Sequence, residues 1–177
     1  MHNQNRNLEQ LKLKNMTLLT TIQIAAVILA GLAAGLFYSW DCAIVGGLGN
    51  LPDDQYLAAF QSINRVILNP YFFMSFMGSL ILLPIAAWMT YKTGNTSAFY
   101  FMLAAAILYA LGVFGVTIGG NVPLNDMVDK LDITNASSEA IKAMRLKFEA
   151  NWNSLQHIRT YSAILAFIAA VISLAKR

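Results

Sequence analysis

The sequence is poor in the residues that bind metals and form cross-links: one cysteine, Cys42, and two histidines, His2 and His157. A lone thiol closes no internal disulfide, and one thiol with two imidazoles assembles no zinc cluster. Haem held between two axial histidines is excluded as well, because His2 belongs to a polar N-terminal tail. A dinuclear carboxylate centre needs Glu-x-x-His pairs, and Glu149-x-x-Trp152 breaks that pattern. Glu149 and His157 are separated by about 12 Å along a helix, too far to share an ion. Asp126 and Asp129 share a helical face, but a solvated loop accounts for them better than a hard cation does. The sequence therefore calls for no metal and no other cofactor.

Charge is scarce too. Charged residues make up 12% of the chain, against roughly 25% in a soluble domain. With a net charge of +3 and no basic run, nucleic acid is excluded as a partner. No Ser-His-Asp, P-loop or CxxC pattern occurs, and nothing in the sequence brings Cys42 and His157 together as a nucleophile and base. The glycine-rich stretch Gly46-Gly-Leu-Gly49 does not fit GxGxxG and follows no strand, so it reads as a loop rather than a nucleotide site.

Hydrophobic residues are abundant, at 57% of the 177 residues with a mean hydropathy of +0.53. Four apolar runs, at 17–38, 71–91, 98–118 and 158–175, each approach the ~20 residues that cross a bilayer. The first exceeds the ~7–15 residues of a signal-peptide core, so it is a retained span. Cys42 follows Trp40-Asp41, unlike a lipoprotein cleavage site. The expected fold class is all-α: one membrane domain over 1–177, a four-helix bundle with helical caps in outer segments at 41–69 and 120–157. Gly31 with Gly35, and Gly115 with Gly119, give the spacing that lets helix backbones approach. Pro84 predicts a kink in the second span.

In the outer segments, Pro52-Asp53-Asp54 starts a helix whose Tyr56, Phe60, Ile63 and Ile67 form an apolar stripe. Asn69-Pro70 ends it. Serines at 137 and 138 cap a helix that runs into the fourth span, with Ile141, Met144, Phe148, Trp152 and Leu155 on one face. The two halves share an order of events, with Ser62-Ile-Asn-Arg65 and Gln156-His-Ile-Arg159 in analogous places, but too little identity to establish a duplication. Lys and Arg divide evenly between the two sides. Arg6, Lys12, Lys14, Lys92, Lys176 and Arg177 crowd close to the spans on one side, while Arg65, Lys130, Lys142, Arg145, Lys147 and Arg159 are spread thinly on the other. That density puts both termini in the cytoplasm, in a multi-pass protein of the cell membrane surrounded by membrane lipids.

Candidate chemistry gathers at the outer mouth. His157, at a membrane entrance, is the natural proton acceptor; an interfacial histidine bonded to a carbonyl is the structural alternative. Asn64, Arg65, Asn121, Asn125, Asp126, Glu149 and Arg159 lie around it. An Arg at the bilayer centre costs ~2.5–3.5 kcal/mol, so Arg65 and Arg159 are expected at the interface or paired with Asp126 or Glu149.

Asn121-Val-Pro-Leu-Asn125, Phe148-Glu-x-x-Trp152 and His157-x-Arg-Thr160 together resemble the anthrone-oxygenase-like family of small membrane proteins. Gly35-Leu-Phe-Tyr, Gln61-x-Ile-Asn-Arg65 and Asn69-Pro70 are similar to that family's first half, so the resemblance extends from about Gly31. Gln156 departs from it, where an Asn is expected. The resemblance implies a four-span bundle and, in characterised members, oxidation of an anthrone to an anthraquinone by O₂ with no evident cofactor. On that reading His157 is the base, and Asn121, Asn125 and Arg159 stabilise the enolate oxygen. Trp152, Phe148 and Phe60 stack on a flat apolar aromatic or quinone-like substrate, beside Asn64 and Arg65. The alternative function is non-enzymatic: a membrane protein binding a lipid or a protein partner, its polar network holding the cap in place.

Overall fold

Three helices begin on the same device, a side-chain oxygen that accepts from an otherwise orphaned N–H of the first turn. Asn69 Oδ1 accepts from Phe72 N at 3.1 Å, Asn95 Oδ1 from Ala98 N at 3.1 Å, and Ser137 Oγ from Ala140 N at 3.2 Å. Pro70 adds a preset φ to the first of these. The structure, a computed structural model, describes residues 2–176, and the backbone alone for His2, Asn3, Asn5 and Lys12. Of the basic residues counted above, Arg177 and the Lys12 side chain thus lie outside the described residues.

The helices are α1 (His2–Ser39), α2 (Val45–Gly49), α3 (Asp53–Val66), α4 (Pro70–Lys92), α5 (Thr96–Ile107), α6 (Val122–Asp129) and α7 (Ser138–Ala175). Three wide π-helical stretches, Trp40–Ile44, Leu108–Gly115 and Thr117–Asn121, join α1 to α2 and α5 to α6 without breaking the rod. The glycine stretch at 46–49, read as a loop from sequence, is therefore the helical end of the first rod. Pro123 explains part of the second case. Having no N–H, it cannot bond the carbonyl four residues back, and a widened turn immediately precedes it.

Four of these rods are long and apolar enough to cross a membrane: Arg6–Gly49, Pro70–Lys92, Thr96–Asp129 and Ser138–Ala175. The chain is a multi-pass, all-α membrane protein. Its spans pack in a ring, α1 on α4, α4 on α5, α5 on α7 and α7 on α1. Alanine supplies much of the seam, with Ala26, Ala30, Ala33, Ala86, Ala105, Ala163, Ala166 and Ala170 almost wholly buried, because small side chains let helices approach where lipid removes the hydrophobic drive. Ile24, Ile28 and Leu32 on the opposite face of α1 are exposed, as lipid-facing residues should be. Near the end of the bundle that carries both termini, Gln23 Nε2 donates to Thr90 Oγ1 at 2.9 Å and Ser173 Oγ to the Ala98 carbonyl at 2.7 Å. α4 runs unbroken through Pro84.

The glycine expectation holds in part. A Cβ at Gly31 would come within 3.0 Å of the Phe167 ring on α7, whereas one at Gly35 or Gly119 would meet nothing within 4 Å. The tighter crossing is at Gly112, where a Cβ would collide with the side chain of Ser162 on α7.

Above the bundle, α2, α3, α6 and the start of α7 enclose a second core of Tyr56, Leu57, Phe60, Val128, Ile141, Phe148 and Trp152. Arg145 fastens it. Its guanidinium donates to the Leu51 carbonyl at 2.7 Å, the Gly49 carbonyl at 2.8 Å, Asp53 Oδ1 at 2.9 Å and Glu149 Oε2 at 2.7 Å, and lies 4.4 Å from the Tyr56 ring centre. The hydrogen bond to Glu149 raises the Arg145 pKa above its ordinary value. Burial likewise pushes the Tyr56 phenol up, so it stays neutral. Gln61 Nε2 donates to the Val128 and Leu131 carbonyls, at 2.8 and 2.9 Å, closing the end of α6.

Candidate functional site

Along α7, Trp152, Gln156, Arg159 and Thr160 recur at helical spacing and are all buried. They face the end of α1, where the Phe37 carbonyl accepts from Gln156 Nε2 at 3.0 Å and from Thr160 Oγ1 at 3.2 Å. The π turn that follows rotates the residues beyond it by about 100° relative to a straight helix. Trp40, at its start, lies 5.2 Å from Trp152 and 5.9 Å from Phe60 between ring centres.

These residues bound a cavity of about 150 Å³. Phe37, Trp40, Phe60, Phe72, Phe76 and Trp152 give it aromatic walls, and Asn64, Thr117, Asn125, Gln156 and Arg159 contribute its polar atoms. Arg159 is the unusual member. It is 8% exposed, and its guanidinium lies 5.0 Å from the Phe37 ring centre and 5.2 Å from that of Trp152. It donates to Gln156 Oε1 and, at 3.5 Å, to Thr117 Oγ1, while its Nε has no partner. Among the described residues no carboxylate comes within ion-pairing distance of it. The expected pairing with Asp126 or Glu149 is thus overturned: Glu149 is taken by Arg145, and Arg65 pairs with Asp129 at 2.7 Å.

The residues proposed from sequence divide into three groups. Asn64, Asn125, Phe60, Trp152 and Arg159 line the cavity. Asn125 sets the geometry of two others, accepting from Trp152 Nε1 at 2.8 Å and donating to Asn64 Oδ1 at 2.8 Å. Phe148 and Asn121 are buried but not among the lining residues. Phe148 supports Phe60 edge-on at 4.5 Å, and both amide atoms of Asn121 lack a partner. His157 and Arg65 lie elsewhere. Arg65, 60% exposed, borders a wide polar groove on the far side of α3 with Asp54, Lys130 and Asp132. His157 is 51% exposed, with Nδ1 3.2 Å from Asp41 Oδ1. It follows Gln156 directly, which turns it about 100° from the cavity face. No cluster of three His, Cys, Asp or Glu residues suited to a metal occurs among the described residues.

Thr117 and Gln156 were not singled out as site residues from sequence. The available signal was periodicity: Thr117, Asn121 and Asn125 repeat every four residues at the end of an apolar span, as Trp152 and Gln156 do on α7.

A family model described as Anthrone oxygenase matches residues 72–169, more than half of the chain. The chain belongs to the anthrone oxygenase family. No curated protein and no solved structure matches it. The anthrone oxygenase match contains Phe72, Phe76, Thr117, Asn125, Trp152, Gln156 and Arg159, one side of the cavity. The opposing Phe37, Trp40, Phe60 and Asn64 lie before it.

Proposed function

We propose that the protein is a membrane oxygenase whose cavity holds a flat aromatic or quinone-like molecule by its ring oxygen. The observation that carries this reading is Arg159, a buried guanidinium with no carboxylate at ion-pairing distance among the described residues, facing an aromatic-walled cavity. A buried charge is costly unless something pairs with it. A substrate oxyanion supplies that pairing, and in a dry site the attraction is stronger than in water.

The chemistry follows from the anion. Loss of a proton to water, before the anion settles in the cavity, leaves negative charge on the ring oxygen, held by Arg159, and electron density at the ring carbon opposite it. That carbon forms a bond to O₂, giving a hydroperoxide once a proton returns. Elimination of water then breaks the O–O and remaining C–H bonds and leaves a second carbonyl. One anthrone and one O₂ thus give one anthraquinone and one water, with O₂ as the oxidant. Trp40, Phe60 and Trp152, packed on one another with ring centres 4.8 to 5.9 Å apart, form one aromatic wall for the ring to lie against, and Asn125 fixes Trp152. His157 takes no direct part on this reading, because its ring stands beside Asp41 and off the cavity. We further place both termini on the cytoplasmic side of the cell membrane, with the cavity at the outer face.

A second reading, a binding protein for a lipophilic aromatic molecule, is favoured by one observation: no acid and no histidine lines the cavity. Oxygen uptake by the purified protein with an anthrone, followed by absorbance of the quinone, separates the two. Saturable uptake that Arg159→Gln removes supports the oxygenase; saturable binding of the anthrone without turnover supports the binding protein.

A further inference from the structure

The polarity of the cavity runs opposite to that of a pocket opening to water. Its buried end carries Arg159, Gln156 and Thr117, whereas the lining residues most open to the surroundings are Leu68, Phe73 and Ile118, at 62%, 43% and 52% exposure. Phe73 belongs to the first turn of α4, and Ile118 closes the apolar run of the third span. α4 packs along α5 and the start of the π-helical stretch, but its contact thins toward Thr117–Asn121. The opening between the two helices there, a fork, is edged by the apolar Phe73 and Ile118.

Size adds an independent constraint. At about 150 Å³ the cavity matches the engineered apolar cavity that takes up one benzene and falls below the roughly 300 Å³ of pockets that enclose a drug-sized ligand. One six-membered ring fits, and the rest of a larger molecule must pass out through the fork. A ligand matching both gradients has an oxygen-bearing ring at one end and an aliphatic chain at the other.

We propose that the ligand of this cavity is a single-ring phenol or quinone carrying a long aliphatic chain, which enters sideways from the bilayer between α4 and the Thr117–Asn121 turn, ring first, and leaves its chain in the lipid. This rests on the oxygenase reading and narrows it: the cavity encloses only one ring of an anthrone, whose other rings would occupy the fork where a chain otherwise lies. A fatty acid shares the oxyanion and the chain, but the ring walls of Phe37, Trp40, Phe60 and Trp152 favour a flat head.

The test uses the full-length protein in lipid nanodiscs, in a Trp88→Phe background, so that fluorescence reports Trp40 and Trp152 alone. The probes are 2-decyl-1,4-benzoquinone, 2-methyl-1,4-benzoquinone and decanoate, each scaled to its mole fraction in the lipid. Quenching is expected to saturate with both quinones at similar mole fractions, because the decyl chain stays in the lipid whether the ring is free or bound, with decanoate displacing neither. Ile118→Phe, which narrows the fork without adding a tryptophan, is expected to weaken the decyl compound about tenfold or more and the methyl compound less. Phe73→Ala, which widens the fork, is expected to speed decyl binding, and thermal unfolding of both variants checks their fold. Decyl binding far weaker than methyl binding, or no effect of either variant on the decyl compound, overturns the lateral entry. If Arg159→Gln still abolishes quinone binding in that case, the site stands and only the portal falls. Displacement by decanoate overturns the ring assignment, and absence of saturable quenching by either quinone overturns both readings.

Discussion

Arg159 and His157 lie two positions apart on one helix and face different surroundings. Arg159 is buried among Phe37, Trp152, Gln156 and Thr117, and His157 is half exposed beside Asp41. If Arg159 holds the substrate oxyanion, Arg159→Gln lowers turnover of an anthrone about 100-fold, the effect of losing one preorganised donor to an oxyanion. His157→Gln changes it less than about threefold, as an exposed substitution away from the chemistry should. Steady-state oxygen uptake checks both, and equal losses in the two variants would restore the histidine as base. The contrast also shows what the sequence could tell about the site. Asn64, Asn125, Trp152 and Arg159 were legible because polar and aromatic residues at the end of an apolar span have few other uses. His157 was attractive for its imidazole alone, and helical register decides where an imidazole points. The stripe through Phe148 and Trp152 continues to Gln156 and Arg159; residue 157 was never on it.

At the scale of whole helices, the number and order of the spans could be read from apolar length, and the starts of α4 and α7 from Asn69-Pro70 and the serines at 137 and 138, because these are local properties. The π-helical stretches could not, since a widened turn depends on which neighbours the helix meets. The closest crossing was misplaced for a related reason. Glycines four apart recur at 31 and 35 and at 115 and 119, yet the partner helix comes nearest at Gly112, and no spacing rule knows where Ser162 lies. Gly112→Ala should therefore destabilise the bundle by about 1–3 kcal/mol through overpacking, while Gly119→Ala leaves it unchanged or slightly more stable. Thermal unfolding in detergent, followed by circular dichroism, reads both. A stable Gly112→Ala protein would mean that the π-helical stretch Leu108–Gly115 and α7 do not meet where described. The cap depends on one side chain, which donates to two backbone carbonyls and two carboxylates. Arg145→Ala should cost about 2–3 kcal/mol, since bonds from a charged donor are lost and their acceptors left short. Its signature is local: faster proteolysis within 49–53, where the guanidinium now ties the chain to α7.

The whole molecule divides into an alanine-seamed bundle and an aromatic cap, and the cavity lies where they meet. Which compartment the cap faces decides where any ligand is met. The basic residues argue for a cytoplasmic bundle end, since Arg6, Lys14, Lys92 and Lys176 adjoin the spans there, whereas on the cap side Arg65 and Arg145 are already bound to Asp129, Asp53 and Glu149. Cys42 offers a direct probe of this orientation, being the sole thiol, exposed, and on the cap side of the first span. A membrane-impermeant maleimide should label Cys42 in intact cells, and Cys42→Ser should abolish that labelling. In the Cys42→Ser background, Ser97→Cys places a thiol at the exposed start of α5, at the opposite end of the bundle. It should react only after the membrane is permeabilised. The reverse pattern, with Cys42 protected and Ser97→Cys labelled in intact cells, would put the cap and its cavity in the cytoplasm, and a ligand entering at the fork would then come from the inner leaflet.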